Sequence, residues 1–199
     1  MQTSLVNLRS VHGGNGARYA WGSEKLELIP IVALLVVLFL LLALVFWILT
    51  GFLGAPWVPT AGETVNEMLS MAGVNSGDVV YDLGSGDGRI IITAAKKFHA
   101  RSVGVELNPL WVLWTRLRVS VLGLRGKTKV VWGNFFNVDL SKADVVTLYL
   151  IQNSNDKLEP KLKEQLKPGS RVVSHVFTFN GWNPVKADAE LQIYLYIVK

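Results

Sequence analysis

The 199-residue chain contains no cysteine. A disulfide framework, a thiolate metal site and a cysteine nucleophile are therefore excluded, and redox chemistry says nothing about the compartment. Histidine is scarce as well. His12, His99 and His175 lack metal-ligand spacing. No G-x-S-x-G nucleophile turn occurs, and no internal repeat is visible. Charge is missing from one long stretch, since no Asp, Glu, Lys or Arg stands between Leu28 and Gly62.

Within that stretch, residues 28–49 are almost entirely Leu, Val, Ile, Phe and Ala. At ~1.5 Å per residue a helix over them reaches about 33 Å, enough to cross a ~30 Å hydrocarbon core. A signal-peptide core is usually shorter, and no small-residue cleavage site follows closely. A buried core helix of this length rarely lacks a polar face. Residues 28–50 are thus expected to form one transmembrane helix, with Trp47 and Trp57 suited to the membrane interface. Gly51, Gly54, Pro56 and Pro59 stop it, leaving 51–61 as a linker. Residues 1–27 carry Gly13, Gly14 and Gly16 and no apolar period, which suggests a disordered tail.

The net charge is +5. Basic residues gather at Arg116, Arg118, Arg125, Lys127 and Lys129. Beside a membrane span such charge favours anionic headgroups; the plainer alternative is a solvated face. For Lys161, Lys163 and Lys167 the solvated face is preferred, because Leu158, Leu162 and Leu166 supply a helix's buried stripe.

From residue 62 to the end, strand-like and helix-like segments alternate. "ETVNEMLSMAGV" reads as a short helix with Val65, Met68, Leu69 and Ala72 on one face. "DVVYDL", "SVGVEL", "KTKVVW", "DVVTLYL", "RVVSHVF" and "LQIYLYIV" read as strands. Helices are expected over 89–99, 109–124 and 155–166. The pattern predicts an α/β domain over 62–199, a mostly parallel sheet with helices on both faces.

The first strand ends in "DLGSGDGR". In an open parallel sheet, ligands bind beyond the carboxyl ends of the strands, where strand order reverses. Gly84, Gly86 and Gly88 permit a tight turn and close backbone approach. The free N–H groups opening the next helix favour an anionic group. Glu106 ends the next strand about 20 residues on, where an acid takes up ribose hydroxyls. Together these point to an adenosine-containing cofactor. Nicotinamide and flavin sites favour G-x-G-x-x-G; here Gly88 comes one position early.

The octet with Glu106 resembles the first motif and ribose acid of class I S-adenosylmethionine-dependent methyltransferases. "PWVPT", "YDLGSGDGRI", "VGVELNP" and "DVVTLYL" further resemble one small family within them. Its eukaryotic members are membrane-anchored mitochondrial protein-lysine methyltransferases of the ATP synthase c subunit and the adenine nucleotide translocase. Prokaryotic relatives share the single span. The resemblance implies a class I (Rossmann-like) fold, S-adenosylmethionine and a lysine acceptor. By match, Asp82, Gly84, Ser85, Gly86 and Gly88 form the cofactor loop and Glu106 the ribose acid. Asn108 and Pro109 follow it, and Pro59 and Thr60 belong to a segment expected to fold over the cofactor. Where relatives carry an acid for the adenine amino group, this chain has Asn134, whose amide oxygen accepts the same bond. Phe135 could pack on the adenine or in the core.

After the fourth strand relatives tend to place a proline and often an acid, whereas this chain has "LYLIQNSN". Alignment does most of the work in methyl transfer to an amine. The lysine must still lose a proton, which a dry pocket lined by amides would favour. Tyr149, Gln152 and Asn153 are the candidate catalytic residues at the acceptor. His175 is either a proton acceptor or a structural histidine. No metal is expected. The N-P-P-Y signature of base-amino methyltransferases is absent, so nucleic acid is not the expected acceptor.

The expected function is a membrane-anchored, monomeric methyltransferase acting on a protein lysine. The alternatives are an enzyme for a membrane-soluble small molecule, and a degenerate, non-enzymatic cofactor-binding module. Only 22 residues follow Phe177, so the usual closing strand pair is expected to be truncated. Arg9, Arg18 and Lys25 precede the span, and no Lys or Arg follows until Arg89, which by the positive-inside rule would export the domain. S-adenosylmethionine is held in the cytoplasm or the mitochondrial matrix, and the expected placement follows the cofactor.

Overall fold

The structure, a computed structural model, describes residues 28–45 and 58–199. The expected tail at 1–27, most of the linker, and both Trp47 and Trp57 lie outside the described residues. The chain falls into two units, Met1–Leu49 and Thr50–Lys199. In the first, α1 (Leu28–Val45) is an 18-residue helix with a mean hydropathy of 3.4 and no buried part. By residue count and composition alone it is long and apolar enough to cross a membrane.

The second unit is built on seven strands: β1 (Val79–Leu83), β2 (Arg101–Glu106), β3 (Thr128–Trp132), β4 (Val145–Leu148), β5 (Arg171–His175), β6 (Lys186–Asp188) and β7 (Ile193–Ile197). They lie in the order β3-β2-β1-β4-β5-β7-β6. The first five are parallel, and β7 runs antiparallel to β5 and β6. Parallel neighbours need crossovers, supplied by α3 (Arg89–Lys97), α4 (Pro109–Val121) and α5 (Gln152–Gln165); α2 (Gly62–Met71) precedes β1.

Side chains on β1 alternate between two cores, as the two-residue strand period requires. Tyr81 and Leu83 pack with Val146, Leu148 and the α5 residues Leu158 and Leu162. Val80 packs the other way, with Val65, Met68 and Leu69 of α2 and Ala94 of α3. Val112 and Val119 of α4 join Ile91, Ile92 and Val130 in a third cluster. Burial on both faces explains why the strands read as unbroken apolar runs. Strand order reverses between β1 and β4, so the carboxyl ends of these two strands flank the switch point where ligands enter such sheets.

Three expectations need correction. Helix α5 begins at Gln152 rather than at 155, because its polar first turn is held by tertiary hydrogen bonds rather than by an apolar face. Strand β5 stops at His175 because Val176 adopts φ 67°. The closing strand pair is present, with β6 and β7 completing the sheet. What is short is β6, at three residues.

Candidate cofactor and acceptor site

Between β1 and α3 the chain turns through Gly84, Gly86 and Gly88 at φ 84°, 49° and 77°. Side chains rarely tolerate that region, and two of the glycines are also crowded. A Cβ on Gly84 would stand 3.0 Å from Cδ2 of Leu150, just beyond β4. One on Gly88 would meet Thr115 Cγ2 at 2.2 Å. The Thr115 hydroxyl donates to the Gly86 carbonyl at 2.9 Å, so α4 is fastened onto the loop. Gly88 thus serves close helix–loop packing despite its early position.

Glu106 closes the other side. One carboxylate oxygen accepts from the Gly86 N–H and the other from the Asn108 N–H, both at 2.8 Å. A carboxylate has about four acceptor sites, so each oxygen keeps a lone pair for a ligand hydroxyl. Asn108 itself caps α4 by accepting from the Leu110 N–H at 2.9 Å, with Pro109 opening the helix. Ser85 is turned inward. Its Oγ is buried without a partner and lies 2.6 Å from where a Gly104 Cβ would stand. Its side chain therefore supports the loop from within.

Asp82 lies beneath the loop, 3% exposed. Burial pushes its carboxyl up to about 7; the Thr147 hydroxyl bond at 2.9 Å opposes this, and the nearby Glu106 and Asp87 add to it. A buried acid so placed gains from a cation above it.

Asp87, between the last two glycines, was not singled out in the sequence. Burial tends to raise its pKa, but hydrogen bonds and charge from Arg89, then the charge of Arg118, prevail and hold it low. Arg89 reaches Asp87 at 3.0 Å and also donates to the Thr60 carbonyl at 2.5 Å. Arg118 joins from α4 at 3.1 Å. Buried Thr60 is thereby tied to the loop, while Pro59 beside it is exposed.

Asn134 follows β3. Its amide oxygen accepts from the Phe136 N–H at 3.0 Å, and the residue is exposed. Phe135 packs against the core shared with Leu83 and Val105, and against Phe136 at 4.7 Å, while remaining only half-buried.

Beyond β4, the Tyr149 ring lies 4.3 Å from that of His175 at the end of β5. The Gln152 amide donates to Asp156 at 2.8 Å and to the Thr178 carbonyl at 3.0 Å, so its N–H groups serve the fold. Asn153 is exposed on the first turn of α5. Asn155, which sequence reasoning passed over, is fully buried and ties α5 to the loop after β5. Its amide donates to Ser174 Oγ at 3.1 Å and to the Phe177 and Thr178 carbonyls at 3.0 and 3.3 Å. Val176 stands in a tight turn closed by the Phe177 N–H on the His175 carbonyl at 2.8 Å. A β-branched residue at positive φ is strained, and this one lies next to the Tyr149–His175 pair. Burial lowers the His175 pKa, a hydrogen bond with the Leu191 backbone opposing it, and its Nδ1 is buried without a partner.

A basic cleft of about 550 Å³ lies elsewhere. Val79, Arg101, Lys127, Lys129, Asp144 and Lys167 line it at the amino ends of the strands, opposite the glycine loop. At the carboxyl ends the chain presents three left-handed glycines, a carboxylate with open lone pairs and a buried acid that favours a cation. That donor set fits a ligand carrying a ribose diol and a positively charged amino-acid end.

A family model described as the ANTKMT methyltransferase domain matches residues 82–186. A protein-lysine N-methyltransferase of Saccharolobus islandicus is 47% identical over 150 residues, covering 72% of this chain and 93% of that protein. The human lysine N-methyltransferase of the ATP synthase c subunit is 35% identical over 130 residues, 65% of this chain, which spans only about half (54%) of its length. Among solved structures, an RNA methyltransferase from Salinibacter ruber, in complex with S-adenosyl-L-homocysteine, superposes with a TM-score of 0.69 at 44% identity. That match covers 71% of this chain and 94% of the other. The chain therefore belongs to the ANTKMT methyltransferase domain family and is an S-adenosylmethionine-dependent methyltransferase.

Proposed function

We propose that the chain is a membrane-anchored enzyme whose methyl acceptor is a protein lysine. The lysine reading is carried by the 47% identity to the archaeal protein-lysine N-methyltransferase across nearly all of that protein. The anchor is α1. The domain is assigned to the side of the membrane where the cofactor is made, cytoplasm or mitochondrial matrix.

In this reading Asp82 faces the positively charged end of the cofactor, and Gly84, Gly86 and Gly88 let it approach the backbone. Glu106 takes the ribose hydroxyls and Asn134 the adenine amino group, with Phe135 at the ring edge. Ser85 and Asn108 act through loop and helix geometry, and Arg89 holds the Pro59–Thr60 segment against the loop. When bound, S-adenosylmethionine supplies a methyl group already activated on a sulfonium. What remains for the protein is to align a neutral amine and exclude water. Tyr149, steadied by His175, faces the acceptor side together with Asn153 and the free oxygen of Gln152. A lysine of pKa ~10.4 in water loses its proton more readily in such a partly dry pocket.

A second reading, an RNA acceptor, is favoured by the activity ascribed to the Salinibacter relative and by the basic cleft. That cleft is at the strand amino ends, so its charge would not bring a base to the glycine loop. Incubating the full chain with its native membranes, cell RNA and labelled S-adenosylmethionine separates the readings. Methyl-lysine in protein hydrolysates supports the proposal. Label confined to RNA or to lipid extract, or absent from protein altogether, overturns the lysine assignment.

A further inference from the structure

Helix α4 is apolar on both sides. Val112, Thr115 and Val119 face the domain and are buried. Opposite them, Leu110, Leu113, Trp114, Leu117 and Val121 form a single stripe by helical spacing. They are 59, 67, 51, 54 and 78% exposed. Trp132 extends the stripe at the start of the helix, 64% exposed and donating its indole N–H to the Leu107 carbonyl at 3.0 Å. A contiguous apolar stripe of this kind marks a surface that something covers.

Charge indicates what covers it. From Leu107 to Val138 there is no Asp or Glu, while Arg116, Arg118, Arg125, Lys127 and Lys129 all fall within that stretch. Arg118 is spent on Asp87, whereas Arg125, Lys127 and Lys129 are exposed just beyond the helix. An apolar stripe with indoles and a predominantly basic border is the pattern of a helix lying in a bilayer interface. Each cation near an anionic surface strengthens such binding.

We propose that the outer face of α4 lies in the headgroup region of an anionic bilayer, a docking that rests on the membrane-anchored reading above. Helix α4 starts three residues after Glu106, so docking brings the cofactor edge of the sheet to the membrane surface. The acceptor class this selects is a lysine presented at the membrane–water boundary.

The absence of cysteine makes single labels unambiguous. Spin labels are attached to Leu113→Cys, to Leu117→Cys and, as a control on α5 across the sheet, to Glu164→Cys. Each full-length variant is reconstituted in vesicles of phosphatidylcholine with phosphatidylglycerol, after S-adenosylhomocysteine binding has verified its fold. The expected result is that labels at 113 and 117 collide with oxygen in preference to a water-soluble nickel chelate, the label at 164 shows the reverse, and the preference at 113 and 117 is lost in pure phosphatidylcholine. Water-exposed labels at 113 and 117, on a chain that floats with anionic vesicles, would overturn the docking and leave the anchor intact. Immobilised, mutually broadened labels would show a second copy on the stripe and also overturn it. A chain that fails to float would refute both readings.

Discussion

Replacing Asp82 by asparagine should make the cofactor-free domain less sensitive to pH. With its carboxyl at about 7 in the fold and an unfolded value near 3.9, the folded state keeps a proton that the unfolded state has lost. The folded state thus binds more protons between about pH 4 and 7, and stability falls as pH rises through that window. At ~1.4 kcal/mol per pH unit, the penalty from this one group grows by roughly 2–3 kcal/mol between pH 5 and pH 8. An asparagine side chain carries no charge and can still accept from Thr147, so the variant lacks this slope. Urea unfolding of fragment 55–199 at both pH values, parent against Asp82→Asn, isolates the term because other carboxylates cancel. A cationic ligand reverses the sign, so cofactor affinity in the parent should rise with pH toward 7. Equal pH slopes in parent and variant would refute the assignment.

Three other substitutions probe the surroundings. Gly88→Ala combines a left-handed φ with a Cβ 2.2 Å from Thr115 and should cost about 2–4 kcal/mol in urea unfolding; a neutral result would mean that α4 does not pack on the loop as described. Asn134→Leu should weaken S-adenosylhomocysteine binding by about 1–3 kcal/mol while Asn134→Asp retains it, and calorimetry showing parental affinity in the leucine variant would place the adenine elsewhere. Val176→Gly relieves a positive φ and should leave stability unchanged or raise it by about 1 kcal/mol; a melting curve showing a clear loss would mean that the turn is not strained.

The parts of this fold that sequence conveyed are those governed by local chemistry. Five buried parallel strands read as β-branched runs, the glycine loop as a loop, and α1 as a long apolar helix by its composition and lack of charge. The missed parts depend on contacts between distant residues. The first turn of α5 looks like a polar loop, and its bonds to the Thr178 and Phe177 carbonyls, which the sequence does not show, help hold it as helix. Strand β6 is Lys186–Asp188, three residues without alternation, and exists because β7 pairs with it. Arg89 and Arg118 gave no sign of converging on Asp87, since Arg118 is 31 residues away along the chain. The Asn155 network is likewise tertiary. The apolar outer face of α4 was in plain view as "PLWVLWTRLRVSV", but which of its two apolar sides faced the sheet required the packing.

The central claim, that Asp82, the three glycines and Glu106 cradle S-adenosylmethionine, is tested most directly by calorimetric titration of the full chain in detergent with S-adenosylhomocysteine. Gly86→Val and Glu106→Ala are titrated in parallel, with urea melts to verify that both remain folded. The account predicts one site in the parent, no measurable binding in Gly86→Val, and markedly weaker binding in Glu106→Ala through the lost ribose contacts. Parental affinity in both folded variants would contradict it.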